Sequence, residues 1–377
     1  MKFMSIVTTA ALLACLSPAA VSARDSIQFS TWIPPTHQIP RYLFTLWAEQ
    51  VNTQADSTIK VKTEYGSSMV SPRGALAELA DGIVDGSHHV AQYTPTELKM
   101  SNAMEELGMR YADPRVVIAA ASDFNFNAPE MQAEWKRNNI VFGGSYVTAP
   151  YKLVCNRPIK TLADMKGAKL RLPGRAPAAW ANSIGAVTMA FNSNEQYGAL
   201  DKGALTCTTT NLADAHTRKL YEVAKHVTDL PITLFWAGYA WGYNRDTWLD
   251  LTTEQRRTLL DAKAAAIAAY AYQGLGIEES DAGDKLIEAG VQIHEPAADL
   301  VASIDAYRDN QLTTAAGVAK ETFKIDNAED LLNRFAATMA KWEQLVADLP
   351  EGDQDAYAAL LRNELFGKLD PANYPAN

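Results

Sequence analysis

The stretch "DMKGAKLRLPGR" (164–175) places Lys169, Arg171 and Arg175 around two leucines. Leu170 and Leu172 alternate with Lys169 and Arg171, the period of a strand with one buried face. A guanidinium on the other face is either a solvated charge or a planar fork aimed at an acid, which it would meet with two parallel hydrogen bonds. A second group of residues could wall a cleft. "LPITLFWAGYAWGYN" holds Phe235, Trp236, Tyr239, Trp241 and Tyr243 within nine positions. Trp32 and His37 follow the first predicted strand, and Gln92 and Tyr93 end the third, where open sheets bind ligands. Rings with a few polar groups are the usual lining of small-molecule sites; core packing accounts for any single ring equally well.

Other candidates are weaker. His88 and His89 are adjacent on a predicted strand, so their side chains point to opposite faces and make a poor chelate. Glu222 and His226 are spaced as neighbours on a helix face, with no third ligand in view, and read as a surface pair. No phosphate-binding glycine loop, nucleophile elbow, H-E-x-x-H or C-x-x-C is present. We therefore expect no catalytic constellation, no metal and no cofactor.

The elements that must position these residues form two groups. "SIQFSTW", "STIKVKTEYG" and "GSHHVAQY" read as strands separated by the helical stretches "RYLFTLWAEQVNTQ" and "SPRGALAELADG". This βαβαβ order predicts a mainly parallel sheet with helices on both faces. The pattern restarts after residue 150. "YKLVCN", "AKLRLP", "AVTMAF" and "ALTCTTT" read as strands. Helices fall between them, with N-caps at Thr161 (capping box with Asp164) and at Ser193. A helical stretch over 252–290 is long enough to brace both groups, with Gly274, Gly276 and Gly283 predicting a kink. The fold class is α/β with two lobes. Lobe I comprises 24–149 and about 238–270, and lobe II 150–237 and about 276–325. Helices over 326–377 end the chain.

Composition sets the outer limits. The 377 residues carry a formal charge of −10, against a nucleic-acid or anionic-membrane partner. Lys2, the apolar "FMSIVTTAALLACL", Pro18 and Val21-Ser22-Ala23 have the order of an export signal cleaved after Ala23; "LLAC" at Cys15 is the competing lipoprotein reading. Nothing after residue 24 is apolar enough to span a bilayer. Cleavage leaves Cys155 and Cys207, an even pair in an oxidising compartment, which favours a disulfide over two buried thiols.

Three stretches, "RPIKTLADMKGAKLRLPG" (157–174), "EQYGALDKGALTC" (195–207) and "LYEVAKHVTDLPI" (220–232), resemble the periplasmic solute-binding proteins of tripartite ATP-independent periplasmic (TRAP) transporters, of the dicarboxylate-binding type. A weaker match is "SPRGALAELADGIVDGSHHVAQY" (71–93). The resemblance implies a monomeric protein of two lobes joined by a hinge that encloses an organic acid and delivers it to a membrane permease. It implies that Arg171 is the carboxylate-binding arginine and that Thr210 and Asn211 are polar partners. The sequence departs from the family at "GALTCTTTN", where Thr206 and Cys207 replace an aspartate and a glycine. Tyr151 stands where the sialic-acid-binding branch has a second arginine, so a smaller or more apolar acid fits better. The alternatives are a carboxylate-bearing compatible solute such as ectoine or a betaine, and a secreted lyase or hydrolase using tyrosines and histidines of the cleft.

Overall fold

The computed structural model describes residues 24–375, so the export signal and the Cys15 alternative lie outside the described residues. Eleven strands form two sheets. The first has the order β2 (Lys60–Glu64), β1 (Ser26–Ser30), β3 (Gly86–Val90), β10 (Gly238–Asn244), β4 (Ile140–Gly144). β1 runs parallel to both neighbours, whereas β10 is antiparallel to β3 and β4. The second sheet has the order β11 (Gln292–His294), β9 (His226–Thr233), β5 (Tyr151–Cys155), β8 (Cys207–Thr210), β6 (Lys169–Arg171), β7 (Val187–Thr188). β5 is antiparallel to both its neighbours, and the other pairings are parallel.

Alternation explains how each strand takes its place. Ile27 and Phe29 of β1 are buried, and Phe29 packs against Phe44 and Trp47 of the first helical segment, with centroids 4.9 and 5.4 Å away. In the second lobe, successive residues of β5 enter different cores. Leu153 and Cys155 join one apolar cluster and Val154 the other, so helices must cover both faces of that sheet.

The chain crosses between the lobes four times, the last time at Asn310, between the helices Ala298–Asp309 and Gln311–Glu321. The segment 145–150 links β4 to β5, and 234–237 links β9 to β10. These segments bond to each other: Thr148 N–H donates to the Phe235 carbonyl (3.0 Å), and Phe235 N–H to Thr148 Oγ1 (3.2 Å). The third crossing is helical. The stretch expected over 252–290 breaks at Ala262. It then runs unbroken through Lys263–Ala269, a π-helical segment Tyr270–Ile277 and Glu278–Glu288. The wide turn contains Gly274 and Gly276, residues that hold α-helix geometry weakly. Ile267 packs in the first core and Leu286 in the second lobe.

Three local expectations are corrected. The helix Gln311–Glu321 sends Ala315 and Ala319 into the first core, although 276–325 was assigned to lobe II; the earlier part of that range, with Leu286, Val291, β11, Leu300 and Ile304, packs on the second lobe. Glu222 and His226 do not share a helix: Glu222 ends a single 3-10 turn and His226 begins β9. The N-cap after β7 is Asn192 rather than Ser193, because Glu195 three residues on closes the capping box with Asn192. The box at Thr161 and Asp164 forms as expected.

Candidate functional site

β6 carries the central residue. Lys169 is exposed, Leu170 is in the second-lobe core, and Arg171 is buried at 4% exposure. Past Arg171 the chain turns at Gly174, whose φ of +85° suits glycine, and Arg175 starts the next helix on the surface. The three basic residues are therefore not equivalent. Arg171 lines a cavity of about 180 Å³ between the two sheets. Its Nε donates to the Phe191 carbonyl (3.2 Å) and its Nη1 to the Thr209 carbonyl (3.4 Å). Thr209 Oγ1 donates in turn to the Arg171 backbone carbonyl (3.1 Å), so two carbonyls hold the guanidinium, one from β8 and one from the loop after β7, and β8 also holds its backbone. No carboxylate among the described residues pairs with Arg171.

The next acidic group is already balanced. Asn211 caps the helix Leu212–Thr217, accepting the Asp214 N–H at 2.7 Å, and this brings Asp214 to the cavity wall. Asp214 Oδ1 lies 2.5 Å from His37 Nε2, across the cleft, and Oδ2 lies 3.6 Å from Arg218 Nε. Burial by itself would raise the Asp214 carboxyl, but the charges of His37 and Arg218 outweigh it and hold the group well below the usual carboxylate range. His37 Nδ1 accepts from the Ile39 N–H (3.1 Å), which leaves the Nε2 proton facing Asp214. A second contact across the cleft runs from the Ser193 N–H to Tyr93 Oη (3.2 Å). The lobes thus meet around the cavity. Glu279, on the interlobe helix, accepts from the Leu212 and Ala213 N–H groups (2.7 and 2.9 Å) and holds the same short helix from behind.

The rest of the wall is apolar or neutral. Phe235 lies parallel to Tyr151, with centroids 6.2 Å apart and planes 2° apart. From the first lobe come Trp32, Tyr93 and Tyr146, with the imidazole of His88 edge-on to Tyr146 at 4.9 Å. Burial, with smaller contributions from His89 and His37, keeps the His88 pKa well below that of an ordinary histidine. Arg73 lies over the Tyr93 ring at 5.6 Å, partly exposed at the edge of the cavity.

Of the residues singled out from sequence, Arg171, Trp32, His37, Gln92, Tyr93, Tyr151 and Asn211 line the cavity. Two do not. Trp236 sends its ring into the first core, against Tyr111 and Phe335, while its backbone N–H donates to buried Glu105; its neighbour Phe235 faces the cavity instead. Thr210 stands behind the wall, its Oγ1 donating to Asp214 Oδ2 (3.3 Å). His88, Asp214 and Arg218 went unrecognised as wall residues. A basic residue four positions after an acid, itself three after an Asn cap, is the one local signal for Asp214 and Arg218. Cys155 and Cys207 are directly opposed on β5 and β8 and form a disulfide, with Cα atoms 4.0 Å apart. The expected absence of metal ligands has a narrower counterpart: no group of three or more His, Cys, Asp or Glu among the described residues is placed to hold an ion. No helix among them is long and apolar enough to cross a membrane.

The model of bacterial extracellular solute-binding protein, family 7 (DctP), matches residues 29–310. A curated relative, the outer membrane transporter protein TsaT of Comamonas testosteroni, is 21% identical over 271 residues, 71% of this chain and 79% of that protein. A TRAP solute-binding protein from an unidentified marine microbe, specific for aromatic acids and solved with metahydroxyphenylacetate, is 20% identical. It superposes with a TM-score of 0.74 over 84% of this chain and 99% of that one. A TRAP periplasmic solute-binding protein from Bordetella bronchiseptica, with bound (R)- and (S)-mandelate, is also 20% identical, with a TM-score of 0.72 over 85% and 99%.

Proposed function

Starting from a chain that belongs to the bacterial extracellular solute-binding proteins of family 7, we propose that it captures an organic acid with one carboxylate and an aromatic or similarly apolar body. As the periplasmic component of a TRAP transporter, it delivers that acid to the membrane permease. The observation that carries the reading is the buried Arg171 guanidinium, with no acidic partner among the described residues, in a cavity between two lobes. A buried charge left unpaired is costly, about 3–5 kcal/mol when one partner of a pair is removed. Closure over Arg171 is therefore favourable when the ligand brings the missing anion, and ligand shifts an open–closed equilibrium by its differential affinity for the closed state. Asp214 is neutralised by His37 and Arg218, so the wall offers one uncompensated deep charge and selects one carboxylate. The rings of Phe235, Tyr151, Trp32 and Tyr93 favour a flat apolar body, and the aromatic and mandelate ligands of the two solved relatives agree with this chemistry.

The family is one of solute-binding proteins rather than enzymes; that the bound acid leaves unchanged is part of the proposal, checked by recovering it intact from the protein. Cleavage after Ala23 is likewise proposed, and the mass of the exported protein tests it. For the ligand, a thermal-shift screen should compare benzoate, phenylacetate and mandelate with succinate, ectoine and glycine betaine. The aromatic acids should stabilise the wild type, and Arg171→Ala should abolish that stabilisation. Equal stabilisation of the mutant refutes the Arg171 assignment; a response to ectoine or betaine alone replaces the aromatic acid with a compatible solute.

A further inference from the structure

The first-lobe half of the cavity holds side chains whose polar atoms have no partner in the protein. Trp32 is 6% exposed, Gln38 2% and His88 1%. The Trp32 Nε1, both amide atoms of Gln38 and both ring nitrogens of His88 are buried and unpaired, and all three residues line the cavity. The Trp32 and His88 rings are neighbours, with centroids 5.8 Å apart. Buried polar groups are almost always hydrogen-bonded, and an orphan one costs about 1–3 kcal/mol. With the two amide atoms of Gln92, which are likewise buried and unpaired, seven such atoms on one side of a ligand cavity need a partner that the ligand brings.

Their chemistry says which partner. The His88 environment, buried among the tilted rings of Trp32 and Phe44 and the edge-on ring of Tyr146, favours the neutral imidazole, which offers one donor and one acceptor. The Gln38 amide offers both as well, and Trp32 a donor. This set suits a hydroxyl, which gives and receives. A second carboxylate only receives and would need a cation; the basic side chain that the first lobe brings to the cavity, Arg73, is at the exposed edge and lies on Tyr93. An ammonium only gives and would need an anion; the cavity's carboxylate, Asp214, is already held by His37 and Arg218.

We infer that Trp32, Gln38 and His88 form a specificity subsite, across the cavity from Arg171, for an uncharged hydroxyl on the ligand body. The inference rests on the monocarboxylate reading above and names the class within it: hydroxylated aromatic monocarboxylic acids. The subsite would reject an analogue that lacks the hydroxyl because its own groups then stay unpaired.

Calorimetric titration of the full mature protein with benzoate, 3-hydroxybenzoate, 4-hydroxybenzoate and benzene-1,3-dicarboxylate tests it. At least one hydroxybenzoate should bind about tenfold or more tighter than benzoate, the scale of one gained hydrogen bond to a buried group, and the dicarboxylate should bind more weakly than benzoate. His88→Phe, in which a ring still fills the space, should erase the hydroxyl preference, so that the variant binds benzoate and the hydroxybenzoates with equal affinity. Gln38→Leu provides the same test should His88→Phe fail to fold. Equal binding of benzoate and both hydroxybenzoates by the wild type overturns the inference and leaves the monocarboxylate reading standing. So does a hydroxyl preference that survives in a folded variant. If no aromatic acid binds, both fall.

Discussion

The two halves of the cavity are built on opposite plans. The second-lobe half is charged and its charges are tied to neighbouring groups: Thr209 accepts from the Arg171 guanidinium and donates to its backbone carbonyl, Asn211 caps the helix of Asp214, and Asp214 answers Arg218, with Asn192 Oδ1 and Ser193 Oγ the polar atoms left unpaired beside them. The first-lobe half is neutral and stacked, with polar atoms that no protein group satisfies. The charged half needs rigidity, because a bidentate ion pair loses its advantage when the fork is misplaced. In the neutral half, packed rings orient the groups and the hydrogen bonds remain open to the ligand.

Four experiments can break or sharpen this contrast. The largest effect is expected from Asp214→Asn, which takes the carboxylate from the half-buried Arg218 and from buried His37. It should cost about 3–5 kcal/mol in denaturant unfolding and raise affinity for dicarboxylates relative to monocarboxylates; a neutral result would mean that the charged half tolerates an extra cation. Next is the Cys155→Ala/Cys207→Ala pair. The bridge closes a sequence separation of 52 residues, worth about 4 kcal/mol in the chain-entropy model. Affinity should stay within about threefold, and its collapse would show that the bridge itself sets the Arg171 frame.

His88→Phe reads the neutral half through pH. The folded-state pKa of His88 is lowered by burial, so below its ordinary value near 6.5 the unfolded chain takes a proton that the folded chain refuses. Stability then falls as pH falls through that window, by about 1.4 kcal/mol per unit for one proton. The variant should therefore gain about 2 kcal/mol on the wild type between pH 7.5 and pH 5, measured by denaturant unfolding at each pH; parallel profiles would argue against a neutral buried imidazole. The smallest effect is expected from Thr209→Val, which removes the hydroxyl bond to the Arg171 carbonyl and costs about 1 kcal/mol. Its affinity should drop severalfold for benzoate and the hydroxybenzoates alike, whereas His88→Phe should remove the difference between them.

What the sequence disclosed follows the same division. The charged half was partly readable, because a strand's alternation and a helix cap both leave local patterns; Lys169, Leu170 and Arg171 show the first, Asn211 the second. Parity failed where the chain leaves regular structure. Residues 234–237 cross between the sheets, so no period tells that Phe235 rather than Trp236 turns to the cavity. For His88 and His89 the opposite orientation was legible, but which face of β3 meets the cleft depends on a sheet assembled from distant segments. Thr210 lost its place to a neighbour for the same reason, one residue of parity at a strand end. The helix Gln311–Glu321 carries an apolar stripe that either lobe could bury.

With no acidic partner among the described residues, the Arg171 guanidinium should also hold a small anion in the empty protein. A closed cavity with one fixed positive charge draws in whatever small carboxylate or halide the solution supplies. Capture of the cognate acid is then a displacement, and its apparent affinity should depend on which buffer anion is present, acetate and formate above all, more than on ionic strength.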